Sequence, residues 1–191
     1  MSIFSMWGIC SYSQQTVIHH LLYTTYFNIA THIPDSVSWE LTPFMLSCKN
    51  HLPRTNKFIA DPDIPGTSLG SDYSKSGYDQ GHQMPAQDNS CDSLGEVQCF
   101  FYSNMVPQHP SLNRITWKAL EVYCRKEAAK QPLKIVCGVA GSLGKIGRDS
   151  VNVPAYCWKK VIYADSVQYY MMPNQDTVKR HPFTFYRRKQ N

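Results

Sequence analysis

The chain has 191 residues, 42% of them apolar and 17% charged, which excludes an intrinsically disordered polypeptide, since such chains lack apolar residues to bury. This length suits one compact unit that folds without staples, so residues 1–191 are expected to form a single domain. The formal net charge of +5 is uneven: residues 1–95 carry four Lys/Arg against eight Asp/Glu, and residues 96–191 fifteen against six.

From the N-terminus, Met1–Trp7 lacks a basic start and a sustained apolar run, so no signal peptide is expected and localisation stays open. No stretch approaches the roughly 20 apolar residues that cross a bilayer, and no membrane partner is expected. Residues 16–30 are β-branched and aromatic and predict a strand. Pro34-Asp35 predicts a turn. Residues 36–42 alternate, predicting a strand with Val37, Trp39 and Leu41 on one face. Residues 61–80 are rich in Asp, Pro, Gly and Ser and predict a long loop, of a length that usually carries function. Residues 98–106 predict a buried strand. Ser111 is expected to cap a helix running to about Gln131, with Pro132 as its stop. Residues 134–140, 155–163 and 166–172 predict further strands. Several strands around one long helix indicate an α+β fold with a mostly antiparallel central sheet and flanking helices.

Seven cysteines leave at least one thiol unpaired, and no CxxC pair marks a zinc site. Cys137 and others sit in apolar runs as small core residues. A local Cys91–Cys99 bridge is one open option.

Chemistry concentrates in three segments. In Gly77-Tyr78-Asp79-Gln80-Gly81-His82-Gln83-Met84-Pro85-Ala86, a histidine follows a glycine at the edge of a loop. A neutral imidazole there is suited to take a proton from water, and Asp79 is placed to orient the ring or the loop. Taken alone, a structural loop histidine is the simpler reading. Ser103-Asn104-Met105-Val106-Pro107-Gln108 follows. In Leu112-Asn113-Arg114-Ile115-Thr116-Trp117-Lys118-Ala119-Leu120-Glu121, positions 113, 117 and 121 recur at helical spacing on one face. Asn113 and Glu121 lie about 12 Å apart along an α-helix axis, too far to share an ion directly. Mg²⁺ takes oxygen ligands and keeps several waters, so one amide oxygen suffices. A helix-start Asn and a solvated Glu are the plain alternatives. The basic half of the chain, ending in Lys179, Arg180, Arg187, Arg188 and Lys189, suits a phosphate backbone, or is a solvated tail.

In order and spacing, these segments resemble the DNA/RNA non-specific endonuclease family, whose active site is a ββα-metal motif. The family's Asp-Arg-Gly-His appears here as Asp79-Gln80-Gly81-His82, its Ser-Asn-x-x-Pro-Gln as Ser103–Gln108, and its Leu-Asn-x-x-x-Trp-x-x-Leu-Glu as Leu112–Glu121. Thr55-Asn56-Lys57-Phe58, Asp61-Pro62-Asp63-Ile64-Pro65, the early strands from Tyr23 to Leu41, Val153-Pro154, Lys159-Lys160 and Met172-Pro173-Asn174-Gln175 extend the likeness over about residues 16–186. The resemblance implies a sugar-non-specific endonuclease that hydrolyses phosphodiester bonds in DNA and RNA. His82 is then the general base, Asn113 the direct Mg²⁺ ligand and Glu121 the acidic residue that holds a metal-bound water. Asn104 is a site-positioning amide, and Asp79 and Gln80 belong to the catalytic group. Mn²⁺ is expected to substitute for Mg²⁺. Arg114, Arg54 and Lys57 are the expected substrate contacts. DNA and RNA are the expected partners, with a homodimer and a protein inhibitor as further ones to test.

The main departure is Gln80, where the family has Arg. An arginine there can contact the scissile phosphate, and an amide does not replace its charge. The expectation is a slower but active enzyme, the alternative a catalytically weak nucleic-acid-binding relative. The first dozen residues and the basic C-terminus find no counterpart.

Overall fold

The β-branched and aromatic residues after Gln14 form two strands, β1 (Gln15–His19) and β2 (Tyr23–Asn28). This corrects the expectation of one strand over 16–30. His20 turns inward, its Nε2 3.2 Å from the buried carboxylate of Asp61, and its N–H donates to the Tyr23 carbonyl (2.8 Å) to reverse the chain. The structure, a computed structural model, describes residues 15–47, 52–89 and 91–189.

The next turn occupies residues 29–32, with His32 at φ 58°, and not Pro34-Asp35 as the sequence suggests. Pro34 and Asp35 already belong to β3 (Ile33–Leu41). Proline has no N–H to give a ladder, and it is accommodated where the β2–β3 register shifts, between Tyr26 and Phe27. Alternation along β3 holds as expected: Val37, Trp39 and Leu41 are all buried.

The chain then leaves the sheet. Two single turns, α1 (Pro43–Leu46) and α2 (Gly70–Tyr73), flank an irregular segment and lead to β4 (Asp79–His82). Residues 98–106 are not a strand. They comprise the end of α3 (Ser93–Cys99), a 3₁₀ turn over Tyr102–Asn104 and the start of β5 (Met105–Gln108). Asp92 caps α3, accepting from the Gly95 N–H (2.8 Å). Cys99, Phe100, Phe101 and Tyr102 are all buried, and periodicity cannot separate a short buried helix from a buried strand.

The long helix is also composite. A π-helical stretch, Leu112–Trp117, precedes α4 (Lys118–Ala128). Ser111 is not a side-chain cap. Its hydroxyl donates to Asp176 (2.6 Å), and the His109 ring accepts the Ser111 N–H instead (3.1 Å). The sheet resumes with β6 (Leu133–Ala140), followed by a small ribbon, β7 (Gly144–Ile146) and β8 (Val151–Val153), then β9 (Tyr156–Ile162), β10 (Val167–Pro173) and β11 (Arg187–Arg188).

Seven strands pair antiparallel in the order β1-β2-β3-β6-β9-β10-β11, giving the expected α+β fold. β3 lies directly beside β6, and its last residue, Leu41, pairs with the first of β6, Leu133. Residues 42–132 are therefore one excursion that starts and ends at a single rung. One face of the sheet is packed. Val37, Trp39, Leu41, Leu133, Ile135, Cys137, Val161 and Met172 meet Leu112, Trp117, Leu120 and Cys124 in one core. Lys159 is buried in it, its ammonium 4.5 Å from the Trp117 ring centroid and 5.4 Å from that of Trp39.

Cys99, Cys124, Cys137 and Cys157 are buried free thiols, whereas Cys91 is disulfide-bonded. The Cys91–Cys99 bridge therefore does not form. Among the described residues, no helix is long and apolar enough to cross a membrane.

Candidate active site

β4 and β5 pair as a two-stranded ribbon, with Gly81 opposite Val106 and His82 opposite Met105. A side chain at position 81 would run into Gln108, so glycine lets β5 approach. Asn104 secures the ribbon from behind. It is fully buried; its Oδ1 accepts from the Met84 N–H (2.9 Å), and its Nδ2 donates to the carbonyls of Met84 and Cys99 (2.9 Å each). With its amide fully engaged by backbone, Asn104 does not face the cleft. It is a positioning residue for the segment that follows His82. Asn174 acts similarly at the other end of β5, accepting from the His109 N–H (2.7 Å) and donating to Pro107 and Pro154 (2.9 Å each).

Between β4 and the helix lies a cavity of about 250 Å³, lined by Gln80, His82, Asn113, Arg114, Glu121 and Arg54, with Lys118 at its rim. Six of the nine residues singled out in the sequence thus meet in one place. Asp79 touches two of them from outside the lining. Asn104 stands behind it, and Lys57 is exposed and absent from the lining.

His82 is 8% exposed, packed edge-on against Phe100 (4.9 Å between centroids) and Phe58 (5.6 Å). Burial by these rings, with the nearby charge of Arg54, lowers its pKa to about 3, against a backbone hydrogen bond to Gln80 that raises it. The ring is thus neutral at neutral pH. Nε2 is buried and makes no hydrogen bond among the described residues.

Asp79 accepts from Asn113 Nδ2 (2.9 Å) and from Arg114 through Nε (2.8 Å) and Nη2 (2.6 Å). Burial works against the carboxylate, but these bonds outweigh it and hold its pKa below the ordinary value. Because Asn113 gives its N–H to Asp79, its Oδ1 is left without a partner among the described residues. Glu121 makes no hydrogen bond or ion pair there. Burial pushes its pKa up to about 7, against the pull of Lys159. Gln80 donates Nε2 to the Tyr102 hydroxyl (2.9 Å).

A free amide oxygen and an unpaired carboxylate on one wall are hard oxygen donors of the kind Mg²⁺ takes, and the cation would supply the charge Glu121 lacks. These residues fit a divalent cation. Among the described residues, no group of three or more His, Cys, Asp and Glu side chains is placed to hold a metal.

Asn113 and Glu121 line one cavity, but Trp117 between them does not reach it. Trp117 is fully buried, and the helix turns from π to α between the other two. A π turn spans i→i+5, so the i, i+4 spacing no longer stacks side chains. Sequence reasoning misses Lys118, although it lies four residues beyond Arg114.

The family model for DNA/RNA non-specific endonucleases matches residues 8–190. The chain belongs to the DNA/RNA non-specific endonuclease family. A nuclease of Nostoc sp. is 36% identical over 148 residues, 75% of this chain and 53% of that protein. The mitochondrial nuclease EXOG of Danio rerio is 35% identical over 123 residues, 56% of this chain and 35% of that protein. The chain thus spans about half the length of the first and a third of the second. Among solved structures, the EndoG/EndoGI complex contains a chain that superposes with a TM-score of 0.83 at 25% identity, covering 91% of this chain and 80% of that one. This family of endonucleases is metal-dependent.

Proposed function

We propose that this chain is a Mg²⁺-dependent endonuclease that hydrolyses phosphodiester bonds in both DNA and RNA. The supporting observation is that a neutral His82 lines the same small cavity as the free Oδ1 of Asn113 and the unpaired carboxylate of Glu121. Asn113 would hold the cation through Oδ1, with Glu121 as the acidic group beside it; once bound, the cation supplies positive charge at the phosphate and the leaving oxygen. Mn²⁺ would substitute.

The neutral imidazole of His82 takes a proton from water. The water oxygen bonds to phosphorus, the P–O3′ bond breaks with its electron pair on O3′, that oxygen takes a proton from solvent water, and the products are a 5′-phosphate and a 3′-hydroxyl, His82 returning its proton to solvent. The low basicity of His82 belongs to the protein without nucleic acid; an anionic phosphate in the cavity raises it. Arg54 and Arg114 line the cavity as phosphate contacts, whereas Lys57 lies outside it. Recognition through phosphate carries little sequence information, consistent with both sugars being accepted. A protein inhibitor has a parallel in the EndoG/EndoGI complex, and a homodimer is testable by native mass measurement.

The test is digestion of supercoiled plasmid and of total RNA by the purified protein, with Mg²⁺ or with EDTA, beside His82→Ala. Cleavage of both substrates with Mg²⁺ alone, abolished in the variant, is expected. Salt-sensitive binding of DNA without cleavage would replace this reading with that of a binding-only relative.

A further inference from the structure

Asp79 has two clients. It receives Asn113 Nδ2 on one oxygen and closes a two-point bridge with Arg114 through Nε and Nη2. A guanidinium carries five N–H groups, and this bridge uses two. Three remain on a side chain that is 68% exposed at the cavity rim.

A guanidinium fixed along one edge by a carboxylate presents its other edge at a set angle. That edge matches two phosphate oxygens as a fork, which an ammonium cannot do. Ordering the side chain in advance also lowers the cost of closing it on a ligand. On the opposite wall, Gln80 is neutral and already gives Nε2 to Tyr102. Arg54 gives Nε to Asn56 (2.7 Å) and lies over Phe100.

We propose that Arg114 is the fork that grips a substrate phosphate at the cavity rim, and that Asp79 holds both this guanidinium and the Asn113 amide in their orientations. The proposal rests on the nuclease reading above and adds that one carboxylate orients both the phosphate grip and the cation ligand.

Two readouts separate the parts. The first is binding of a short DNA duplex in EDTA across a salt series. The slope of log K against log[salt] becomes shallower by about 0.9 for each phosphate that the protein no longer neutralises. The second is Mn²⁺ affinity without nucleic acid, followed by electron paramagnetic resonance. Arg114→Gln should make the salt slope shallower by the equivalent of one phosphate, leave Mn²⁺ affinity within twofold, and reduce plasmid kcat/KM at least tenfold. Arg114→Lys should restore the slope and not the rate. Asn113→Ala should lose Mn²⁺ binding and keep the slope. Asp79→Asn should move both, with Mn²⁺ affinity at least fivefold weaker, and circular dichroism melts would confirm folding. An unchanged slope in Arg114→Gln, or an Asp79→Asn variant that moves only one readout, overturns the proposal. If the unmodified protein cuts neither DNA nor RNA, the nuclease reading falls, and the slopes and Mn²⁺ affinities still decide for or against Arg114 and Asp79.

Discussion

At His82, burial that shapes the imidazole for its role also makes it acid-sensitive. Phe58 and Phe100 remove water from the ring, and its pKa falls from 6.5 to about 3. The folded state therefore binds this proton less readily than the unfolded chain. The resulting stability is present above about 6.5 and is lost as pH falls toward about 3. Urea unfolding at pH 7 and pH 4 should show the unmodified protein losing stability relative to His82→Gln at the lower pH; a constant difference between the two would mean the ring is not desolvated as described. Glu121 runs the other way, since its folded pKa is raised, and it subtracts stability as pH rises from 4.5 toward about 7. At this scale the sequence is informative. His82, Gln80, Asn113, Arg114, Glu121 and Arg54 all line one cavity, because motif order and spacing carry that information. Proximity in sequence groups Lys57 with Arg54, but only Arg54 reaches the cavity. Lys159 reads as half of a basic pair on a strand, and nothing in Lys159-Lys160 says that the first is buried between two indoles while the second is half-exposed.

The ribbon of β4 and β5 is held in place by a buried amide whose three hydrogen bonds all go to backbone. Removing Asn104 would leave the Met84 N–H and two carbonyls without their partner in a dry interior, at roughly 1–3 kcal/mol for each unsatisfied group. Asn104→Ala should therefore destabilise the protein by several kcal/mol, about 3 or more, and lower kcat more than it raises KM. Denaturant titration and steady-state kinetics on plasmid would check both; a variant of normal stability would show that the backbone of residue 84 is held by other contacts. Strand alternation makes β3 legible, because Val37, Trp39 and Leu41 answer to a period of two. The π-helical turn is not legible, since its residues are ordinary helix formers and its register is set by packing of Trp117 and by Asn174 and Asp176 at the helix start. The turn at 29–32 escapes because its left-handed residue is His32 and not glycine, while Pro34-Asp35 offers a stronger local signal.

Taken whole, the molecule is a meander whose longest interruption lies between β3 and β6. The α+β class is readable from strand count and a single long helix, but strand order is not. No local pattern says that β3 skips residues 42–132 to lie beside β6. That arrangement sets the order in which the chain folds. β1–β2–β3 and β9–β10 are joined by turns of a few residues, and hairpins of that kind form in microseconds. The rung between Leu41 and Leu133 must close across the whole excursion, and closure entropy rises with loop length. Pulse-labelled hydrogen exchange should find amides of β2, β9 and β10 protected before those shared by β3 and β6; simultaneous protection would show that closure is not the slow step. The centre of the sheet is then the last part to zip, and because the helix that carries Asn113 and Glu121 packs its other side on that centre, the walls of the cavity are fixed only when the rung closes.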